Sequence, residues 1–331
     1  MQGGCVKKLN NYLFMLDFKQ GEPLSKYTTF HIGGAAKYFV IVKNKEELIE
    51  ALNFAREKSL KYFIFGGGSN FIFADEGYEG LVIKVAFDEI GIEGDEVFAG
   101  AGVPLLLLVK NAADAGLAGL ENFAGIPGTV GGAVCGNAGA YGKSISDVVS
   151  RAEILTVGHS VSYSVEVVDN SWFQYDYRAS KLKYWTNPDK PVLLKAWFKL
   201  TPGNKEEIQT KVKEILEARK LKEPKGFCAG CAFKNIKGPM VGELLGQDFF
   251  SPEEKNIFAS RGAIPAAWFI DRAELKGKKI GGAYVPGEHA NYIMSDGTAT
   301  AQDVITMISY IKQQVRDRYG VQLEEEIQIV L

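Results

Sequence analysis

Residues 61–80 read KYFIFGGGSNFIFADEGYEG, and the fold turns on them. The apolar run over 61–65 predicts a strand that delivers the backbone into Gly66, Gly67, Gly68, Ser69 and Asn70. Upstream, 37–42 (KYFVIV) predicts another strand. Asn44, with Glu47 three positions on, marks a capped helix whose Leu48, Ala51, Leu52 and Ala55 share one face. Strand, helix and strand make a βαβ unit, with the glycine loop at the carboxyl end of a strand, where ligands bind in α/β proteins. A Rossmann unit or a P-loop needs a helix directly after that loop. FIFADEGYEG is extended and turn-rich, which argues against both.

A second bare-backbone stretch lies at 121–142, ENFAGIPGTVGGAVCGNAGAYG. Gly125, Gly128, Gly131, Gly132, Gly136, Gly139 and Gly142 are interleaved there with Ala124, Ala133, Ala138 and Ala140. Such a run cannot fill a core with side chains, and glycine in regular structure costs roughly 0.5–1 kcal/mol relative to alanine. Close approach of backbone to something flat or anionic is the reason to keep it. Two such surfaces predict one large cofactor held at two points. NAGAYGKS at 137–144 only mimics a Walker A ending, because Asn137 stands where that motif requires glycine.

The rest of the chain is ordinary. A formal net charge of −2 argues against nucleic acid or an anionic membrane as partner, and no apolar run approaches the roughly 20 residues of a membrane span. Asp17 and Lys19 break the segment after Met1–Asn10, so no signal peptide is expected. Four cysteines in 331 residues are too few for a disulfide scaffold, which predicts free thiols in a reducing cytoplasm. Helices are predicted over 104–115, 205–220 (capped by Asn204) and 301–319 (after Thr300). Strands are predicted over 151–157, 163–168, 192–200 and 321–331. The 301–319 stripe is Val304, Ile305, Ile308, Ile311 and Val315, and TPGN at 201–204 marks a domain boundary. Cys228 and Cys231 form a CxxC without a second pair. His31, His159 and His289 have no ligand spacing, so no metal site is expected.

Taken in order, FGGGSNFIFADEGYEGLVIKV (65–85), GIPGTVGGAVCGNAGAYG (125–142), YDYRASKL (175–182), AGCAFKN (229–235), GKKIGGAYVPGEHANYI (277–293) and LEEEI (323–327) resemble the UDP-N-acetylenolpyruvoylglucosamine reductase family. The resemblance runs from about Tyr27 to Ile327. It implies an α+β fold: an FAD-binding PCMH-type (vanillyl-alcohol-oxidase-like) two-subdomain unit over 1–202, with 1–26 as lead-in. A smaller α/β substrate-binding domain follows over 203–319, and a terminal strand over 320–331 carries a catalytic glutamate. It implies noncovalent FAD, NADPH as hydride donor and UDP-N-acetylglucosamine enolpyruvate as substrate, with no obligate protein partner evident.

On this resemblance the FAD contacts are Gly66, Gly67, Gly68, Ser69, Asn70, Gly125, Pro127, Gly128, Thr129, Gly131, Gly132, Asn137, Ala138 and Ala140. Arg178 matches the family's electrostatic residue; without the family, a surface ion pair is the better reading of it. Cys231 falls where most relatives have a serine proton donor, and its pKa near 8.5 makes it more acidic but liable to ionise. Glu326 matches the family's glutamate, with its pKa expected to rise beside a substrate carboxylate. Tyr177, Lys234, Asn235, His289 and Asn291 are the implied substrate contacts. Ile236 and Leu182 depart from the family pattern, and 237–263 reads as an insertion: a lid, an oligomer contact or a decoration.

Overall fold

The computed structural model describes residues 16–158, 162–184 and 190–331. Most of the lead-in, with Cys5, and His159 lie outside them. Ala35–Val42 and Tyr62–Phe65 run parallel to Tyr78–Val85, with Lys19–Pro23 added antiparallel at the edge. Helix α1 (Lys45–Glu57) is the crossover, and Asn44 Oδ1 accepts from Glu47 N–H at 2.9 Å as the capping pattern predicts. No helix follows Gly66–Asn70: Phe71–Phe73 is a short strand that leads by a turn into Tyr78–Val85.

A second sheet holds Tyr163–Asp169, Val149–Val157, Val192–Lys199, Glu96–Gly100 and Ile90–Glu93, all antiparallel. Helix α2 (Leu105–Asp114) begins after Pro104 and stops before Gly116 at φ +70°. Helix α3 (Val130–Gly136) is absent from the sequence reading, because its glycines argue against a helix. It forms because Thr129 caps it and Val130, Ala133 and Val134 bury one face. Gly131 lets it dock on a strand end, since a Cβ there would stand 2.9 Å from Ala101 Cβ. Helix α4 (Lys181–Tyr184) is a single turn.

Helix α5 (Lys205–Lys222) is capped by Asn204, as predicted. Its buried Ile208 and Val212 belong to the first core, so by packing it joins the first half of the chain. The second core is built by α6 (Pro239–Leu245), α7 (Pro252–Arg261), α8 (Ala266–Arg272) and α9 (Ala301–Tyr319) around the strands Phe227–Cys231 and Tyr292–Ser295. The 237–263 segment is part of that core through Val241, Leu244, Phe250 and Phe258. In α9, Met307 is buried with Val304, Ile308, Ile311 and Val315, whereas Ile305 sits at the rim. Beyond Gly320 the predicted strand shrinks to Gln328–Val330, which pairs parallel with Phe71–Phe73. That pairing carries the chain end back to the glycine loop.

Candidate active site

A cavity of about 990 Å³ runs between the two glycine-rich segments and on to the second core. Gly66–Asn70, Pro127, Gly128, Thr129, Gly131, Gly132 and Ala138 line it on one side. The two loops meet backbone to backbone: a Cβ on Gly67 would lie 2.9 Å from Gly128 Cα. Ser69 Oγ donates to Pro127 O at 3.2 Å across the junction. Gly68 has φ +67°, and a Cβ there would run into Tyr27 O, so only glycine fits. Lys84, half-buried, donates from below to Gly66 O at 3.0 Å.

Three of the residues assigned to this cradle sit elsewhere. Asn137 is buried at φ +45° after α3; its Nδ2 donates to Asp176 O at 2.9 Å and its Oδ1 accepts from Ser146 N–H at 3.1 Å. Both ends of its amide are therefore used inside the protein. Ala140 belongs to a tight hairpin with Lys143. Gly125 makes room for Arg219, whose Cδ would be 2.7 Å from a Cβ there.

Opposite the cradle, side chains from three separate segments converge. Arg178 lies in a turn closed by Asp176 N–H to Ala179 O and Ala179 N–H to Asp176 O, at 3.2 and 3.1 Å. Its φ is +56°, a left-handed conformation that costs a non-glycine residue about 1 kcal/mol or more. Arg178 Nε stands 2.8 Å from Glu326 Oε1. The two form an ion pair within the cavity, and the guanidinium pulls the Glu326 carboxyl pKa down against its burial. Gly139 leaves the guanidinium its space, since a Cβ there would be 3.2 Å from Nη1.

Glu326 is fixed through its backbone: its N–H donates to Ala232 O at 2.8 Å, and its carbonyl accepts from Asn70 Nδ2 at 3.1 Å. The glycine loop and the glutamate are thus tied directly. Burial pushes the carboxyl pKa up, against the pull of Arg178, Lys183 and Lys234. The two neighbouring glutamates face away, Glu325 to Lys312 at 2.6 Å and Glu324 to Lys234 at 3.2 Å.

Cys231 ends the strand Phe227–Cys231, which slips register by one residue against Tyr292–Ser295 between Cys228 and Cys231, where Gly230 has φ +77°. In a regular strand these two cysteines would face opposite sides; the extra residue brings both to the cavity. Both are free thiols. Burial pushes the Cys231 thiol up to about 12, reinforced by the Glu326 charge and opposed by Arg178. This corrects the sequence expectation of an acidic donor. The thiol gains no acidity, and it does not ionise near neutral pH.

Asn291 is buried and clamps Phe233, accepting from its N–H at 3.1 Å and donating to its carbonyl at 2.8 Å. The same amide lies near the Cys231 sulfur and draws its pKa down slightly against burial. It therefore supports the thiol rather than lining the cleft. His289 lines neither of the cavities described here: its ring packs edge-on to Tyr292 and its Nδ1 accepts from Asn291 N–H at 3.3 Å. Tyr177, Lys234 and Asn235 line a second cavity of about 820 Å³ on the other side of the 176–179 turn, reached also by Gly238 and Met240 at the start of α6. There the Tyr177 hydroxyl accepts from Asn235 N–H at 3.3 Å. The Asn235 side chain accepts from Ala266 N–H at 3.2 Å, so its oxygen anchors α8. Lys183 and Arg219 also line the first cavity. The sequence reading missed both, although Lys183 stands only five residues after Arg178. Arg219 is paired through Nη1 with Glu223, which lines the same cavity.

Residues 36–160 match the family model described as an FAD binding domain, and 221–330 match that of the UDP-N-acetylenolpyruvoylglucosamine reductase C-terminal domain. A UDP-N-acetylenolpyruvoylglucosamine reductase from Caldanaerobacter subterraneus is 34% identical over 98% of this chain and 97% of its own length. One from Solibacter usitatus is 36% identical over 93% and 95%. The crystal structure of UDP-N-acetylenolpyruvylglucosamine reductase from Thermus caldophilus superposes with a TM-score of 0.71 at 31% identity, covering 96% of this chain and 99% of that one.

Proposed function

The chain belongs to the UDP-N-acetylenolpyruvoylglucosamine reductase family, and from that premise we propose that Arg178, Cys231 and Glu326 carry its reaction. The chain is a flavin-dependent oxidoreductase that reduces UDP-N-acetylglucosamine enolpyruvate to UDP-N-acetylmuramate with NADPH, in peptidoglycan precursor synthesis. The residues fit FAD. Gly66–Asn70 and Pro127–Thr129 offer a cradle free of obstructing side chains, where backbone N–H groups suit a diphosphate. Arg219, paired with Glu223, adds a cation to the lining of the same cavity.

FAD, when bound, carries hydride from NADPH to the terminal carbon of the enolpyruvyl group. Addition there drives an electron pair onto the neighbouring carbon and its carboxylate. Arg178 meets that charge with a planar guanidinium that already lies beside Glu326 in the cavity. The Cys231 S–H protonates the neighbouring carbon, completing the addition of hydride and proton across the double bond. The thiolate left behind regains its proton from water. Glu326, held neutral more readily by its burial, shares a proton or a water with the carboxyl end of the intermediate. Tyr177, Lys234 and Lys237 in the second cavity take the nucleotide end of the substrate, with two cations for its phosphates.

What supports this reading above all is that Arg178, Cys231 and Glu326, distant in sequence, face one cavity whose other wall is bare backbone. We divide the flavin-binding and substrate-binding halves after Lys222. We place the protein in the cytoplasm: Cys135, Cys228 and Cys231 are free, and no helix among the described residues is long and apolar enough to cross a membrane. The test is anaerobic. NADPH should bleach the yellow protein, and the enolpyruvyl substrate should restore the colour. Bleaching that the substrate cannot reverse would point to a different acceptor.

A further inference from the structure

Arg178 keeps its left-handed backbone, φ +56°, without being glycine, so something outside its turn must hold it. The Asp176–Ala179 bonds close the turn but leave the Arg178 carbonyl unused. Lys183 Nζ donates to that carbonyl at 2.8 Å. Lys183 is itself fixed by α4, whose preceding Ser180 donates from Oγ to Cys135 O at 2.6 Å, at the end of α3. Ser180 Oγ also accepts the Lys183 N–H at 3.4 Å. The strained turn, α4 and α3 are thus linked by one run of hydrogen bonds, and Lys183 is the member that touches Arg178. It lines the same cavity as Cys231 and Glu326.

We infer that Lys183 is a positioning residue for the reaction: its ammonium locks the Arg178 peptide in the left-handed form and so aims the guanidinium at the developing carboxylate charge. The inference rests on the role given to Arg178 above. A charge-assisted N–H bond is roughly twice as strong as a neutral one, so the lock is firm only while Lys183 is protonated. Burial lowers the Lys183 pKa; Lys234 and Arg178 lower it further, while Glu326 and Cys135 raise it. Among the groups facing it, burial pushes Tyr177 and Cys135 up and Cys231 up to about 12. Activity should therefore show an alkaline limb below the ordinary lysine range, and the Lys183→Arg variant separates it from Lys84, whose pKa burial also lowers.

The test is steady-state kinetics of the full-length holoenzyme with Lys183→Met, Lys183→Arg and Arg178→Lys. A one-ångström misplacement of a reacting group costs up to about a hundredfold. Lys183→Met should lower kcat by about tenfold to a hundredfold while KM for the enolpyruvyl substrate stays within about threefold. Lys183→Arg should recover most of kcat and move the alkaline limb to higher pH, because guanidinium does not titrate there. A Lys183→Met enzyme with wild-type kcat beside a crippled Arg178→Lys enzyme overturns the inference and leaves the role of Arg178 standing. An Arg178→Lys enzyme as fast as wild type takes both down. Should Lys183→Met fail to fold, Lys183→Arg decides: an alkaline limb unmoved from wild type makes the lysine merely structural and overturns the inference.

Discussion

The two walls of the 990 Å³ cavity are made by opposite means. One is main chain: Gly66–Asn70 against Pro127–Thr129, each loop short in sequence and shaped by its own glycines. The other is side chains: a guanidinium on a strained turn, a thiol on a bulged strand and a carboxyl on an irregular chain end. The first wall needs only room, and any added Cβ takes it away. The second needs aim, and each of its groups is held by a neighbour: Lys183 for Arg178, Asn291 through the Phe233 backbone for Cys231, Asn70 for Glu326. Damage to the first wall should therefore cost cofactor, and damage to the second should cost turnover with the cofactor in place.

Cys231→Ala tests that separation at its largest expected effect. General acid catalysis contributes about 10²–10⁴-fold, and the substrate half of the reaction should slow by that order. NADPH should still bleach the flavin, and Cys231→Ser should keep substantial activity. Stopped-flow absorbance of the flavin follows both halves; an alanine variant that turns over normally places the proton donor elsewhere.

Gly67→Val attacks the other wall. Its Cβ alone would stand 2.9 Å from Gly128 Cα, so the two loops must part. FAD affinity should fall about a hundredfold, roughly 2.7 kcal/mol, read by titrating flavin into stripped protein. Full retention of flavin would mean that this junction is not the cradle.

Glu326→Gln should sharpen the contrast most finely. Turnover should fall by tenfold or more with FAD retained. Stability should move the other way. A raised folded-state carboxyl pKa means that the native chain binds more protons than the unfolded one, so wild-type stability falls as pH rises from the ordinary glutamate range through the raised value. Above that window the deficit is complete, so Glu326→Gln should melt no lower than wild type at neutral pH. The advantage should vanish below the ordinary glutamate range. A variant that melts lower at neutral pH, or sheds its flavin, would mark Glu326 as structural.

Much of the fold was legible because its signals are local. Asn44, Asn204 and Thr300 each start a helix where the capping pattern says, and the missing helix after Asn70 is missing in the structure. Helix α3 was not legible, since its stability comes from burying Val130, Ala133 and Val134 rather than from propensity. The 321–331 segment misled because alternation predicts a strand wherever one would fit, whereas only Gln328–Val330 pairs as a strand and Glu325 makes an isolated bridge to Phe233. Asn137 and Asn291 misled for a shared reason: a polar residue in a glycine-rich or motif-rich stretch reads as a ligand contact, and its burial with satisfied partners is invisible from the sequence.

The sequence alone determined the backbone cradle, because a glycine's freedom and a turn's geometry are properties of a few consecutive residues. It also supplied the chemical types opposite: a guanidinium, a thiol and a carboxyl. Only the tertiary structure decided that these three share a cavity, that burial pushes the thiol up to about 12 and so keeps it protonated, and that a lysine five residues on holds the arginine's strained peptide. Those are matters of distance and desolvation between segments far apart in the chain, and neither quantity exists until the chain has folded.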